Sequence, residues 1–425
     1  MEYTKQIETI GNFDVVIAGG GPGGIGAAIA AADMGMKVII IERAGVLGGN
    51  LTIGHVSPIS GGHTKNSMAA FINKLLSPEN GADCDFEEAK IKLTVLAEEK
   101  GICVYLNSSV CDVIKNGDSI ESVIISTQFG LKNIKGKMFV DATGDAVLSY
   151  LAGEKIEYGR EDGLVQPMSI MFTISNIDPE QRLTCYHENH TTQLKKGEYL
   201  QMCRDACASG ELPPEINIIR LYPGTNKSER VVNATQINRY NPLDPIDYTK
   251  AQTELRKQMK MVVDFLKNNV EGFENIKIKD SSDIVGIRES RRVMGQYVLD
   301  AQDLIEGKAF EDVIVHDADF PIDIHNPNGA GQAESDTVPM LTGKYDIPYR
   351  CIVPLVNNNL FTAGRCISGT HRAHASYRVM NIAVNLGEAA GTAAALCLKT
   401  GENNKTLNYK EIQTALGAKG IDLFN

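Results

Sequence analysis

The chain has 425 residues, 43% of them hydrophobic and 22% charged, which are ordinary globular proportions; it exceeds the ~250–300 residues that one core usually serves, so more than one packed unit is expected. A formal net charge of −11 argues against a nucleic-acid partner, and no run approaches the ~18 consecutive apolar residues of a membrane span. Nine scattered cysteines without a Cys-x-x-Cys pair, and a polar N-terminal stretch with no apolar leader core, lead to the expectation of a reducing cytoplasm without disulfides or iron–sulfur ligation.

Residues 14–18 read as a short buried strand that runs straight into Gly19-Gly20-Gly21-Pro22-Gly23-Gly24. A helix of small residues is expected over 27–34 and a second strand over 37–41, ending at Glu42. Glycines 19, 21 and 24 have the dinucleotide-binding spacing, which serves a tight turn, a close approach to a pyrophosphate and close helix–strand packing. The pyrophosphate of such a ligand rests on the unpaired N–H groups at the helix start. Glu42 stands 23 residues after Gly19, where a carboxylate accepts both ribose hydroxyls and repels a 2′-phosphate. Next comes Arg43, and then the pair Gly48-Gly49 with Asn50, whose placement resembles the pattern of flavoproteins that bind FAD. Two later strand-to-turn segments agree with it: residues 139–141 enter Ala142-Thr143-Gly144-Asp145, and residues 360–363 enter Gly364-Arg365.

Between these segments, residues 65–100 look helical, with Ala69, Phe71, Ile72, Leu75 and Leu76 on an apolar face. A strand is expected over 102–106, and an Asn116-Gly117-Asp118 turn joins strands over 110–114 and 119–127. The stretch around Val110 resembles the backbone that meets adenine in related flavoproteins. From about Gln166 the pattern changes to strands over 169–174 and 230–237 and an amphipathic helix over 248–266. A last helix is expected over 379–398.

Together these segments, with residues 286–292, 345–350 and 363–371, resemble the FAD-dependent oxidoreductases that include heterodisulfide reductase A-like proteins. More distantly they are similar to the fumarate reductase and succinate dehydrogenase flavoproteins. The resemblance runs from about Asp14 to about Leu398, with a divergent middle. It implies an α/β fold: a Rossmann-type FAD-binding domain of the glutathione reductase-like kind with an inserted, β-rich substrate domain. The expected parts are 12–160 and 351–425 for FAD and 161–350 for the insert. FAD is expected to be held without a covalent bond, with His55 the candidate if there is one. A second fingerprint is missing, since Gly329-Ala330-Gly331 lacks the flanking pattern, so a nicotinamide dinucleotide or a protein electron partner is expected to visit transiently.

The residues that stand out for chemistry lie in two groups. Gly369–Arg378 holds His371 and His374, acid–base candidates because an unperturbed imidazole titrates near ~6.5, and Arg378, a charge to offset a reduced flavin. Arg288, Arg291 and Arg292 sit in apolar context, where carboxylate or phosphate pairing suits them as well as internal ion pairs do. Tyr349 and Arg350 are expected along the same cavity, His325 is a further candidate, and no metal site is expected. The reading is a flavoenzyme moving a hydride between flavin N5 and a small organic substrate at a C–C or C–OH bond. An electron-transfer subunit of a larger complex and a non-redox flavin-binding or biosynthetic protein, related to thiazole-forming enzymes, stay open.

Overall fold

A computed structural model describes residues 6–77, 84–332 and 340–424. The central sheet contains β1 (Glu8–Ala18), β2 (Val38–Ile41), β3 (Cys103–Tyr105), β4 (Ser109–Asn116), β5 (Ser119–Thr127) and β6 (Gly130–Asp141) in the order β3-β2-β1-β6-β5-β4. β3, β2, β1 and β6 run parallel, as a Rossmann-type sheet does, while β4 and β5 form an antiparallel flap. β6 divides its second edge: its first half pairs with β5, and Phe139–Asp141 pairs in parallel with the strand Leu360–Thr362. That division brings the turns after β1, after β6 and after Leu360–Thr362 to one end of the sheet, where open α/β sheets bind ligands.

β1 begins at Glu8, not at residue 14, because its first half extends along β6 through a bulge between Thr9 and Gly11. The first helix, Pro22–Asp33, also starts earlier than its alanines suggest: Pro22 at its first position has no N–H to satisfy. It packs between the sheet and the helix Met380–Thr400, which is buried along most of its length. Helices Met68–Leu76 and Phe86–Glu99 occupy the stretch expected to be helical, part of which lies outside the described residues. There Ala69, Ile72 and Leu76 are buried, but Phe71 is 43% exposed.

A second core lies over an antiparallel sheet of Phe172–Ser175, Arg220–Pro223, Arg230–Asn233 and Lys277–Ser281, covered by the helix Pro245–Asn269. Its buried residues run from Met168 to Ile287. Residues from Leu299 to Tyr349, expected within the insert, bury their side chains in the first core instead. Among the described residues no helix is long and apolar enough to cross a membrane.

Candidate functional site

The cleft at the end of the central sheet is built by the three turns. Gly19 has φ +97°, a conformation that suits glycine, and a Cβ there would stand 2.5 Å from Ala142 O. Gly20 N donates to Glu42 Oε2 at 2.6 Å and Ala44 N donates to Oε1 at 2.7 Å, so the carboxylate ties the glycine turn to the end of β2. After β6, the buried Asp141 accepts from Thr143 N (3.1 Å), Thr143 Oγ1 (2.7 Å) and Ser149 N (2.7 Å), which sets the Ala142-Thr143-Gly144 turn. Burial pushes its carboxyl up, against those hydrogen bonds. Asp145 takes the opposite shift: burial raises it, but the charges of Arg365 and Arg43 and the Ser290 hydroxyl outweigh burial and hold it down.

The cleft these turns enclose has a volume of about 260 Å³. Of the residues expected at a cofactor, Gly19, Gly21, Pro22, Gly23, Glu42, Arg43, Gly49, Asn50, Val110, Ala142, Thr143, Gly144, Asp145, Gly364, Arg365 and Arg378 line it. Gly24 and Gly48 do not, and the structure gives each another role. Gly24 lets the helix sit on the Gly19 carbonyl, where a Cβ would stand 1.9 Å from the oxygen, and Gly48 lies over Thr52 in a left-handed turn. Ser108 and Ser109, in the stretch expected to meet adenine, also line the cleft, as do Ile53, Ile284, Met380 and Ala383, which were unforeseen from the sequence. Ser108 and Ser109 adjoin Val110, so the expected adenine contact marked their neighbourhood; nothing local marks Ile284.

These residues fit FAD along the cleft's whole length. A carboxylate stands at one end; the first helix begins in the middle with no side chain capping it, and a Cβ at Gly21 would meet only open space. At the other end the first turn of Met380–Thr400 faces the cleft beside Arg365 and Arg378. The Nε atoms of both arginines are buried without a partner. Glu42 and its neighbours would hold the adenosine, the first helix the pyrophosphate, and the arginine end the flavin.

The remaining candidates separate. His371, His374, Arg292 and Tyr349 do not line the cleft. Glu289, fully buried, accepts from Arg292 Nη1 (2.6 Å) and Gln166 N (3.0 Å) and pairs with His371 Nδ1 (2.8 Å). Arg292 also donates to the carbonyls of Gly369 and Gly159, so its guanidinium joins chain segments. His374, one helical turn after His371, turns into the core, where burial and the charges of Arg292 and Arg378 push its imidazole far down. Tyr349 is buried and donates to Asn404 O at 2.7 Å; Arg350 pairs with Asp312. His55 stacks on Phe86 and faces Asp280 at 3.3 Å, away from the cleft. With its imidazole in this network, His371→Ala is expected to keep FAD and to lose about 1–3 kcal/mol of stability in thermal unfolding, because Glu289 loses a buried partner. Slower flavin reduction at an unchanged melting temperature would return the histidine to the chemistry.

Arg288 and Arg378 do converge, in a second cavity of about 180 Å³ that shares Asn50, Arg365, Arg378 and Met380 with the cleft. Tyr222 and Asn233 of the second sheet line it, together with Ser169, Phe320, Asp323 and His325. Arg378 Nη2 donates to Asp323 Oδ2 at 3.2 Å, and His325 Nε2 faces the same oxygen at 3.4 Å. Asp323 and His325 stand two residues apart, the spacing that puts both on one face of an extended segment, although only His325 stands among the sequence candidates.

Compared with known proteins, residues 14–416 match the model of the family described as FAD dependent oxidoreductase. Thiamine thiazole synthase of Methanococcus aeolicus is 33% identical over 169 residues, 36% of this chain and 62% of that protein. The mitochondrial dihydrolipoyl dehydrogenase of Schizosaccharomyces pombe is 45% identical over 47 residues, 11% of this chain and 9% of that protein. The chain thus spans less than two thirds of either relative's length. Among solved structures, a geranylgeranyl bacteriochlorophyll reductase-like protein from Thermoplasma acidophilum superposes with a TM-score of 0.48 at 14% identity, covering 97% of this chain and 84% of the other. The match to the family model covers nearly the whole chain and all three turns of the cleft; the chain belongs to the FAD-dependent oxidoreductase family, and FAD is its cofactor.

Proposed function

We propose that the protein exchanges a hydride between FAD and a small organic substrate seated in the second cavity, at a C–C or C–OH bond, within the heterodisulfide reductase A-like branch of the family. One observation carries the reading: the cofactor cleft and the second cavity share Asn50, Arg365, Arg378 and Met380. FAD supplies the two-electron chemistry when bound; the chain supplies orientation, charge and protons. Arg378 faces both spaces, and its unpartnered Nε is available to the charge gained on reduction. Tyr222 keeps its proton at neutral pH, because burial raises its hydroxyl further than the Arg220 charge lowers it. It is the chamber's candidate proton donor. A nicotinamide dinucleotide or a protein electron carrier would complete the cycle by taking or giving the electrons. A substrate-sized chamber favours this reading over an electron-transfer subunit that leaves its substrate to another chain.

Anaerobic mixing of the holoprotein with panels of hydride donors, followed by flavin absorbance, tests the proposal. Bleaching by a small donor is the expected result, and no bleaching by any donor or by a reduced nicotinamide would sink it. Arg378→Ala is expected to lower the flavin potential by ~20–40 mV, the two-electron equivalent of ~1–2 kcal/mol. An unchanged potential with normal FAD content would remove Arg378 from that role.

A further inference from the structure

The charges around the second cavity do not cancel. Three guanidiniums line it, those of Arg288, Arg365 and Arg378, against one lining carboxylate, that of Asp323. Arg365 is paired with Asp145, behind it, and Arg378 with Asp323. Arg220, behind the wall, is paired with Glu188. Arg288 has no such partner among the described residues: its one hydrogen bond runs from Nη1 to Pro167 O at 2.7 Å, which leaves most of its five donors for the cavity. His325 adds no charge at neutral pH, because burial and the Arg288 charge push its imidazole down to about 3. A half-buried guanidinium facing a cavity without a counter-charge is a costly arrangement until an anion joins it. Burial and the neighbouring Arg378 charge both disfavour the Arg288 cation as it stands.

We propose that the second cavity selects a substrate with a single carboxylate, received by Arg288, whose reacting carbon is held toward the residues shared with the flavin cleft. This rests on the hydride-exchange reading and narrows its substrate class. One unpaired cation calls for one negative charge; a second carboxylate would meet Asp323 or have to displace it from Arg378. The other walls suit the rest of a small acid, with apolar contact from Met171, Ile287 and Phe320 and neutral hydrogen-bonding groups from Ser169, Tyr222 and Asn233. Selection comes from the planar fork of the guanidinium, which meets a carboxylate with two parallel hydrogen bonds and an amide with at most one.

The test titrates the oxidised holoprotein with butyrate and benzoate, and with butyramide and benzamide as neutral isosteres, while flavin absorbance is followed. The acids are expected to perturb the flavin band and to bind at least about 10-fold more tightly than the amides. Arg288→Met is expected to weaken acid binding about 10- to 100-fold at unchanged FAD content, and Arg288→Lys to restore part of it. Equal binding of acids and amides, no perturbation by either, or undiminished acid binding by FAD-replete Arg288→Met would overturn the proposal. If Arg288→Met fails to retain FAD, the acid–amide contrast in the wild type and in Arg288→Lys decides. Because the readout is binding and not turnover, a protein that accepts no hydride can still show the contrast, so failure of the underlying reading and failure of this one are separable.

Discussion

Glu42→Ala is expected to weaken FAD binding by roughly 10- to 150-fold, the equivalent of ~1.5–3 kcal/mol for lost charge-assisted hydrogen bonds. Two losses combine. The carboxylate no longer meets the ribose hydroxyls, and the N–H groups of Gly20 and Ala44 lose the acceptor that ties the glycine turn to the end of β2. Glu42→Gln separates them in part, because its amide keeps one acceptor oxygen but turns a donor toward a donor on the other side. Titration of the apoprotein with FAD reads the total loss, and thermal unfolding of the apoprotein reads the part that belongs to the turn. Unchanged FAD affinity in Glu42→Ala would mean that the adenosine lies elsewhere in the cleft. A gain of affinity for the phosphorylated nicotinamide dinucleotide would show the carboxylate acting as the discriminator against a 2′-phosphate.

The cofactor cleft was legible in the sequence because its parts are local. Each of its three turns is a short apolar strand running into glycine, and the pairing of β1, β2 and β6 follows from strands that are buried on both faces. Gly24 and Gly48 lay in the right segments, yet they shape the walls without forming the cleft surface. The second cavity was hardly legible, since its walls come from Asn50, Tyr222, Arg288, Asp323 and Arg378, brought together only by the packing of two cores. What surrounds His371 and His374 is not local to their dense polar run. The partner that holds His371 is Glu289, 82 positions away, and helical spacing turns His374 inward. Of the three neighbouring arginines, Arg292 is held by Glu289 and two carbonyls and Arg291 lies over the Tyr150 ring, while Arg288 faces a cavity. Alternation along the strand Arg291–Val293 puts Arg291 and Arg292 on opposite faces, while Arg288 precedes the strand, and the sequence does not say which of them meets a chamber.

Gly387→Ala is expected to lower the melting temperature by roughly 1–3 °C, although alanine is the better helix former by ~1 kcal/mol. The helices Pro22–Asp33 and Met380–Thr400 cross with backbone against backbone: a Cβ at 387 would stand 2.0 Å from Gly23 O and 2.9 Å from Ala27 N. At 391 the same atom would meet Ala27 O at 2.1 Å. Both obstacles are backbone, which has no rotamer to change, so the helices must part by more than an ångström. Overpacking of this kind costs ~1–3 kcal/mol or more and outweighs the propensity gain. The effect reaches the site, because Gly23 belongs to the cleft wall and already stands close to Gly364, where its own Cβ would be 3.1 Å from the amide nitrogen. Weaker FAD binding should therefore accompany the lower melting temperature. Gly417→Ala supplies the contrast, since that exposed helical glycine has nothing within 4 Å of its Cβ position. There alanine is expected to stabilise by ~0.5–1 kcal/mol and leave FAD affinity unchanged. Equal behaviour of the two variants would show that the crossing tolerates a methyl group, and the close approach would then not be what aligns the first helix with the cofactor.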